Sequence, residues 1–269
     1  MATLSLSLAI FLIFTLGLII GSFLNVVIIR SVKNESLGGR SSCRSCKTKL
    51  TARELIPLIS FCIQKGRCRN CGAVLLKQYF WVELITGLAF SGVFYMLATT
   101  YSPWDTDNFV KWLIFGLALV SSAIVIVATD LRSKIIPHGP VIVLLILGII
   151  ASVNRHGLFS GLVTDLMAAI VIAAFFFVLW LYSKGRWMGL GDAKLILASS
   201  LLVGYPLSIA AFLFSFWTGG IMGIGLILLH GRNKIKYLIP FGPFILLGSL
   251  LAYIFGGGFL MWSGLIYLL

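Results

Sequence analysis

Charge is what this sequence has least of. Asp, Glu, Lys and Arg make up 11% of its 269 residues and hydrophobic residues 59%, where a soluble domain carries about 25% charged residues. That balance excludes an ordinary water-soluble core. Acidic residues number only 8 and histidines 3, so each carboxylate can be weighed separately. No Lys or Arg precedes the first apolar run, Thr3 to Ile29, and Arg30 follows it with no small-residue pattern. A cleaved secretory signal needs both a basic start and such a pattern, so this run reads as a retained first helix.

Long apolar runs are what fills the chain. They fall at roughly 3–29, 80–100, 112–129, 139–153, 161–183, 195–204, 207–229 and 238–255, most of them near the ~20 residues of a membrane helix. The stretch from Leu195 to Leu229 has 35 residues and no charge. As one helix it would be roughly 52 Å long against about 30 Å of hydrocarbon. Gly204-Tyr205-Pro206 interrupts it, so two passes joined by a tight turn are expected. The apolar tail from Phe259 to Leu269 has three readings: it extends the last helix past Gly256-Gly257-Gly258, lies in the interface, or re-enters.

The net charge of +13 is placed unevenly. Eleven of the 21 Lys and Arg lie between Arg30 and Lys77, and the loops 130–138, 184–194 and 230–237 hold two, three and three. Only Lys111 and Arg155 remain for the other side. Lys and Arg gather in cytoplasmic loops, so the N-terminus is expected outside and the basic segments in the cytoplasm. This pattern describes a membrane protein and argues against nucleic acid as a partner; the basic segment is free to face lipid headgroups. The expected fold is all-α: a polytopic membrane bundle of about eight transmembrane helices, with a small cytoplasmic zinc-binding segment between helices 1 and 2. The expected parts are the first helix (1–29), the segment 30–79 and a membrane domain 80–269.

Cysteines are few but patterned. "CRSC" (43–46) and "CRNC" (68–71) are two CxxC pairs with 21 residues between them, the arrangement of a four-thiolate zinc site. Two disulfides are the alternative, and a reducing cytoplasm favours the metal. Cys43, Cys46, Cys68 and Cys71 then form a closed structural site, because neither knuckle contains a His or a carboxylate. Cys62 is left over and reads as a small apolar packing residue.

Among the carboxylates, Asp105 and Asp107 fall in an outer loop, and Glu35 and Glu54 in the basic segment, where Lys and Arg can pair with them. Asp165 near an outer helix end suits a first-turn role. Glu83, in "WVELITG", reads as a structural partner of a nearby Lys or Arg. Asn25, inside an apolar span, either bonds a neighbouring helix or faces a substrate. Asp130 in "ATDLRSKIIPH" and Asp192 in "MGLGDAKL" remain. By the loop count both lie at the cytoplasmic border at one depth. Ionisable groups there face the bundle interior or water and mark function by default. The structural alternative pairs Asp130 with Arg132 or Lys134, and Asp192 with Lys194. Two aspartates at one height can instead share a proton and activate a water between them, which is aspartic-protease chemistry. Gly189 and Gly191 would let a substrate backbone lie beside Asp192, and Lys194 belongs to the same supporting loop.

Taken in order, "GSFLNVVIIR", the two CxxC pairs, "ATDLRSKIIP", "MGLGDAKL" and "IPFGPFI" (239–245) resemble the bacterial type IV prepilin peptidases, Gly-X-Gly-Asp membrane aspartic proteases, from about Gly21 to about Gly248. The resemblance implies Asp130 and Asp192 as the catalytic pair. It also implies cleavage of a short basic leader from prepilin or pseudopilin substrates in the bacterial cytoplasmic membrane. Methylation of the new N-terminus with S-adenosylmethionine is implied as well, with the zinc segment linked to it. No glycine-rich cofactor loop supports that second activity independently. His138 stands where the family often has Asp or Asn after "IIP". Two other readings remain: a proton- or ion-coupled transporter, against which the border position of the aspartates counts, and a zinc-stapled scaffold without catalysis.

Overall fold

The computed structural model describes residues 2–33, 35–101, 105–157, 160–230 and 240–263. It holds nine α-helices among those residues: α1 (Ala2–Lys33), α2 (Ile59–Ile63), α3 (Gln78–Thr100), α4 (Thr106–Ser133), α5 (His138–His156), α6 (Ser160–Ser183), α7 (Leu190–Val203), α8 (Leu207–His230) and α9 (Gly242–Trp262). No extended strand occurs among the described residues; there are only two isolated antiparallel bridges. Seven helices, all but α2 and α7, are long and apolar enough to cross a membrane. Their outward faces carry large apolar side chains such as Leu8, Phe11, Val171, Ile221 and Ile254. Lipid tolerates such faces, and the helix satisfies the backbone internally. The chain is a multi-pass membrane protein. Much of the basic loop 230–237, counted above for orientation, lies outside the described residues, as do 264–269.

The chain divides into two compact units, residues 1–128 and 129–269. In the first, α1 packs along α3. Gly17 and Gly21, four residues apart, allow the close approach. A Cβ on Gly17 would lie 2.7 Å from Gly87 Cα, and one on Gly21 would lie 2.8 Å from Glu83 Cα. This is the small-residue contact by which membrane helices gain van der Waals packing. One turn on, Asn25 is fully buried and its amide donates to the Gly21 carbonyl at 3.3 Å and to the Tyr79 carbonyl at 3.2 Å. The helix-to-helix reading of Asn25 is therefore the observed one. Leu24, Ile28, Val82 and Val125 close the core beside it.

In the second unit α7 is central and contacts α5, α6, α8 and α9. Its 14 residues span about 21 Å, short of the ~30 Å hydrocarbon layer. Protein surrounds it, and residues as polar as Ser199 and Ser200 are buried on it. Gly148 of α5 lets a backbone come within van der Waals reach of α7: its Cβ would meet Leu202 N at 3.0 Å. The helix begins at Leu190, five residues before the expected 195, and ends at Gly204, whose φ of +80° suits glycine. Arg155 finishes this end by donating to the carbonyls of Leu202 (2.8 Å) and Leu201 (3.1 Å).

Asp165 is not a first-turn residue stabilising its own helix. It is 1% exposed and accepts from Ser152 Oγ (2.7 Å), Arg155 Nη2 (3.0 Å) and the Tyr205 N–H (2.7 Å). It thereby ties α5 and α6 to the α7–α8 turn. At the same end of the unit, α9 continues through Gly256-Gly257-Gly258 to Trp262, beyond the expected 255. Gly256 packs against Leu207 and Ala210 of α8, and in lipid the backbone gains nothing by leaving the helix. So, as far as Trp262, the tail extends the last helix.

Candidate active site and metal centre

Asp130 lies in the last turn of α4, which stops at Lys134, a residue with φ of +54°. Its Oδ2 accepts from the Gly242 N–H at 2.8 Å. Gly242 opens α9, where backbone N–H groups have no partner inside the helix and attract negative charge. A side chain at 242 would collide with that carboxylate: a Cβ would lie 2.7 Å from Oδ2. This gives "IPFGPFI" a physical role that its letters alone did not reveal. The available clue was a glycine followed by proline at a helix start.

Asp192 lies in the first turn of α7. Its Oδ2 accepts from the Gly189 N–H at 3.0 Å, and its own N–H donates to the Gly189 carbonyl at 3.1 Å. Both aspartates are buried, at 4% and 8% exposure. Ile136, in the α4–α5 connection, joins the two positions. A Cβ on Gly191 would meet Ile136 Cβ at 3.0 Å, and a Cβ on Gly242 would meet Ile136 Cδ1 at 3.5 Å. One side chain thus packs against the neighbours of both carboxylates.

Three expectations change here. Gly191 is inside the helix, and its missing side chain makes room for Ile136 rather than for a substrate backbone. Gly189 is the extended residue before the helix, with φ of −81°, which any residue could adopt. Lys194 is exposed and two residues from buried Asp192, about 200° around the helix, so the two do not pair.

In the first unit the four thiols Cys43, Cys46, Cys68 and Cys71 lie within 4.8 Å of one another. The Cys43–Cys71 Sγ separation is 3.8 Å, which is the roughly 3.8 Å edge of a tetrahedron with Zn–S bonds of about 2.3 Å. The donor set fits a zinc ion. The two knuckles are copies 25 residues apart. Cys43 N–H bonds the Thr48 carbonyl and Lys47 N–H the Cys43 carbonyl; Cys68 repeats the first with Ala73, and Gly72 repeats the second with Cys68, each at 2.9 Å. Lys47 and Gly72 occupy the same left-handed position, with φ of 60° and 68°. Asn70 Nδ2 links the copies by donating to Thr48 Oγ1 at 2.7 Å. The Thr48 hydroxyl and backbone hold the Cys46 thiol down at about 6 and N–H groups of Cys71 and Asn70 lower Cys68, both toward the thiolate that a metal needs, while burial beside the other three thiols pushes Cys71 up to about 11. Cys62 is exposed on α2, which corrects the expectation of a packing role.

Glu35 pairs with Lys33 at 3.6 Å. Glu54 instead accepts from the N–H and hydroxyl of Thr51, each at 2.8 Å. Glu83, expected to meet a Lys or Arg, accepts from the Leu58 N–H at 2.9 Å and from Ser22. It lines a cavity of about 230 Å³ beneath the first knuckle, together with Ser22, Val26, Phe61 and Tyr79.

Two family models match the chain: the bacterial peptidase A24 N-terminal domain over residues 15–97 and the type IV leader peptidase family over residues 117–224. The prepilin leader peptidase/N-methyltransferase of Bacillus subtilis is 30% identical over 248 residues, covering 91% of this chain and 94% of that protein. The protein of the same name from Aeromonas hydrophila is 32% identical over 286 residues, covering 93% and 92%. That from Pseudomonas aeruginosa is 30% identical over 270 residues, covering 90% and 88%.

The chain belongs to the type IV leader peptidase family. No solved structure matches it. In this type IV leader peptidase, the second matched region, 117–224, contains Asp130, Ile136, Gly191 and Asp192, and the first, 15–97, contains all four cluster cysteines.

Proposed function

We propose that this chain is a bifunctional membrane enzyme: an aspartic endopeptidase that removes the basic leader from type IV prepilin-like proteins, and an N-methyltransferase acting on the N-terminus so released. Asp130 and Asp192 are the catalytic pair. The observation that carries the reading is that, in a chain of this family, two buried carboxylates from α4 and α7 sit beside glycines, Gly242 and Gly191, that pack against one isoleucine. Two like charges sharing one site are costly to ionise together. In the resting site one carboxylate is protonated and one ionised. The ionised group takes a proton from water, whose oxygen attacks the scissile carbonyl. The protonated group donates to the carbonyl oxygen, and the leaving nitrogen receives a proton as the intermediate collapses. The Gly242 and Gly189 N–H groups orient the pair; Gly189, Gly191 and Lys194 form the start of α7 that carries Asp192, within the peptidase part, residues 80–269.

The distribution of Lys and Arg supports an N-terminus outside the bacterial cytoplasmic membrane, with the scissile bond at its inner border and the basic segment 30–79 facing lipid headgroups. Zinc held by Cys43, Cys46, Cys68 and Cys71 is structural: it closes the two knuckles. When bound, S-adenosylmethionine supplies the methyl group. The test is to incubate the purified full chain with a prepilin and S-adenosylmethionine and identify products by mass spectrometry. A released leader and a mature chain heavier by one methyl group are expected. An uncut prepilin would end the proposal.

A further inference from the structure

The proposed methyl transfer leaves the place of the acceptor amine unassigned, and Glu83 supplies a candidate. It is a carboxylate at 6% exposure, and among the described residues no Lys or Arg forms an ion pair with it. Four cations line the cavity and none of them forms an ion pair with Glu83: Arg30 donates to the carbonyls of Ser36 and Gly38, Lys33 pairs with Glu35, and Arg44 and Lys47 are exposed. A buried carboxylate without a counter-charge is expensive. Its two neutral donors, Leu58 N–H and the Ser22 hydroxyl, use about half of its roughly four acceptor sites. Leu58 itself is held at φ of +58°, a left-handed conformation that persists only where surroundings enforce it. The cavity of about 230 Å³ that Glu83 lines is walled in part by Val26, Phe61, Leu75 and Tyr79. It therefore places a buried carboxylate without an ion-pair partner beside this apolar part of its wall, with room for about one residue.

We propose that this cavity receives the free α-amino group and first apolar residue of a protein N-terminus, with Glu83 binding the ammonium. This rests on the methyltransferase reading above. The ammonium gives one proton to the Glu83 carboxylate. The nitrogen lone pair then forms a bond to the methyl carbon of a sulfonium donor, and the C–S pair stays on sulfur as a neutral thioether. The product is a secondary ammonium, and Glu83 returns its proton to solvent.

The experiment uses the full chain in detergent and two labelled peptides, an apolar sequence with a free N-terminal amine and the same sequence N-acetylated. Binding is read by fluorescence anisotropy and methylation by transfer of labelled methyl. Wild type is expected to bind the free amine at least tenfold more tightly than the acetylated form. E83Q keeps an acceptor for the Leu58 N–H but loses the charge, so the preference should vanish and methylation should fall at least a hundredfold. An E83Q protein that keeps the preference overturns the assignment. Should E83Q not fold, V26W, which fills the cavity from α1, decides: it should lose binding of the free-amine peptide, and wild-type binding by V26W overturns the proposal. Wild type that releases leaders but methylates nothing would instead defeat the methyltransferase reading, whereas wild-type methylation by E83Q defeats only the role of Glu83.

Discussion

Gly242→Ala isolates the geometry around Asp130 with the smallest possible change. The added Cβ would lie 2.7 Å from Asp130 Oδ2, which is 0.7 Å inside the 3.4 Å where ordinary contact begins, and 3.3 Å from Cγ. Backbone carries the Cβ, so the carboxylate must move and its 2.8 Å bond from the Gly242 N–H stretches or breaks. A hydrogen bond to a charged group is worth roughly 1.5–3 kcal/mol, offset by about 1 kcal/mol that alanine gains over glycine in a helix. Net stability should fall by only about 0.5–2 kcal/mol. The effect on rate should be larger, because a misplacement of the order of 1 Å in a catalytic group can cost about a hundredfold. The assay is kcat/KM for leader release, with thermal unfolding measured on the same preparations. Rates within about threefold of wild type, less than 1 kcal/mol in the barrier, would refute the claim that Gly242 positions Asp130.

Other expectations concern packing and metal. Asp165→Ala removes an acceptor of three hydrogen bonds and strands Arg155, whose side chain is 33% exposed; that exposure places the loss at the low end of the 3–5 kcal/mol range for broken buried pairs, about 3 kcal/mol, read as a lowered Tm in detergent. Gly21→Leu drives a side chain into Glu83 Cα of α3, a backbone contact that cannot yield, and should cost at least about 1–3 kcal/mol, while Gly38→Ala, with nothing within 4 Å of its Cβ, should leave Tm unchanged. The full chain should hold one zinc by elemental analysis; Cys46→Ser and Cys71→Ser should each lose it. The metal needs thiolates and its binding releases protons, so zinc should remain bound at neutral pH and leave as the pH falls.

The membrane spans were legible because hydrocarbon leaves a chain few options, and each apolar run became a helix within a few residues. The short pass at α7 was legible as a pass but not in its start. Its start carries Asp192 and Lys194, charges that ended the apolar count; in the fold Asp192 is buried against neighbouring helices and Lys194 is exposed. The four cysteines were legible because ligand spacing is local. What stayed hidden depends on distant partners. Nothing adjacent to Asp165 announces Tyr205, and nothing adjacent to Asp130 announces Gly242, 112 positions away. Gly17 and Gly21 carried a helix-contact spacing in plain sight. Glu83 was misread because a buried carboxylate suggests a cation, and here its partners are a backbone N–H and a hydroxyl.

The measurement closest to the central claim is leader release by Asp130→Asn, Asp192→Asn and the double variant, each checked for folding by its Tm. Asparagine keeps the size and one acceptor but cannot exchange a proton with water. If the two carboxylates act as one unit, each single variant should abolish cleavage and the double variant should be no worse than either. Cleavage at the wild-type rate by either single variant would contradict the shared site.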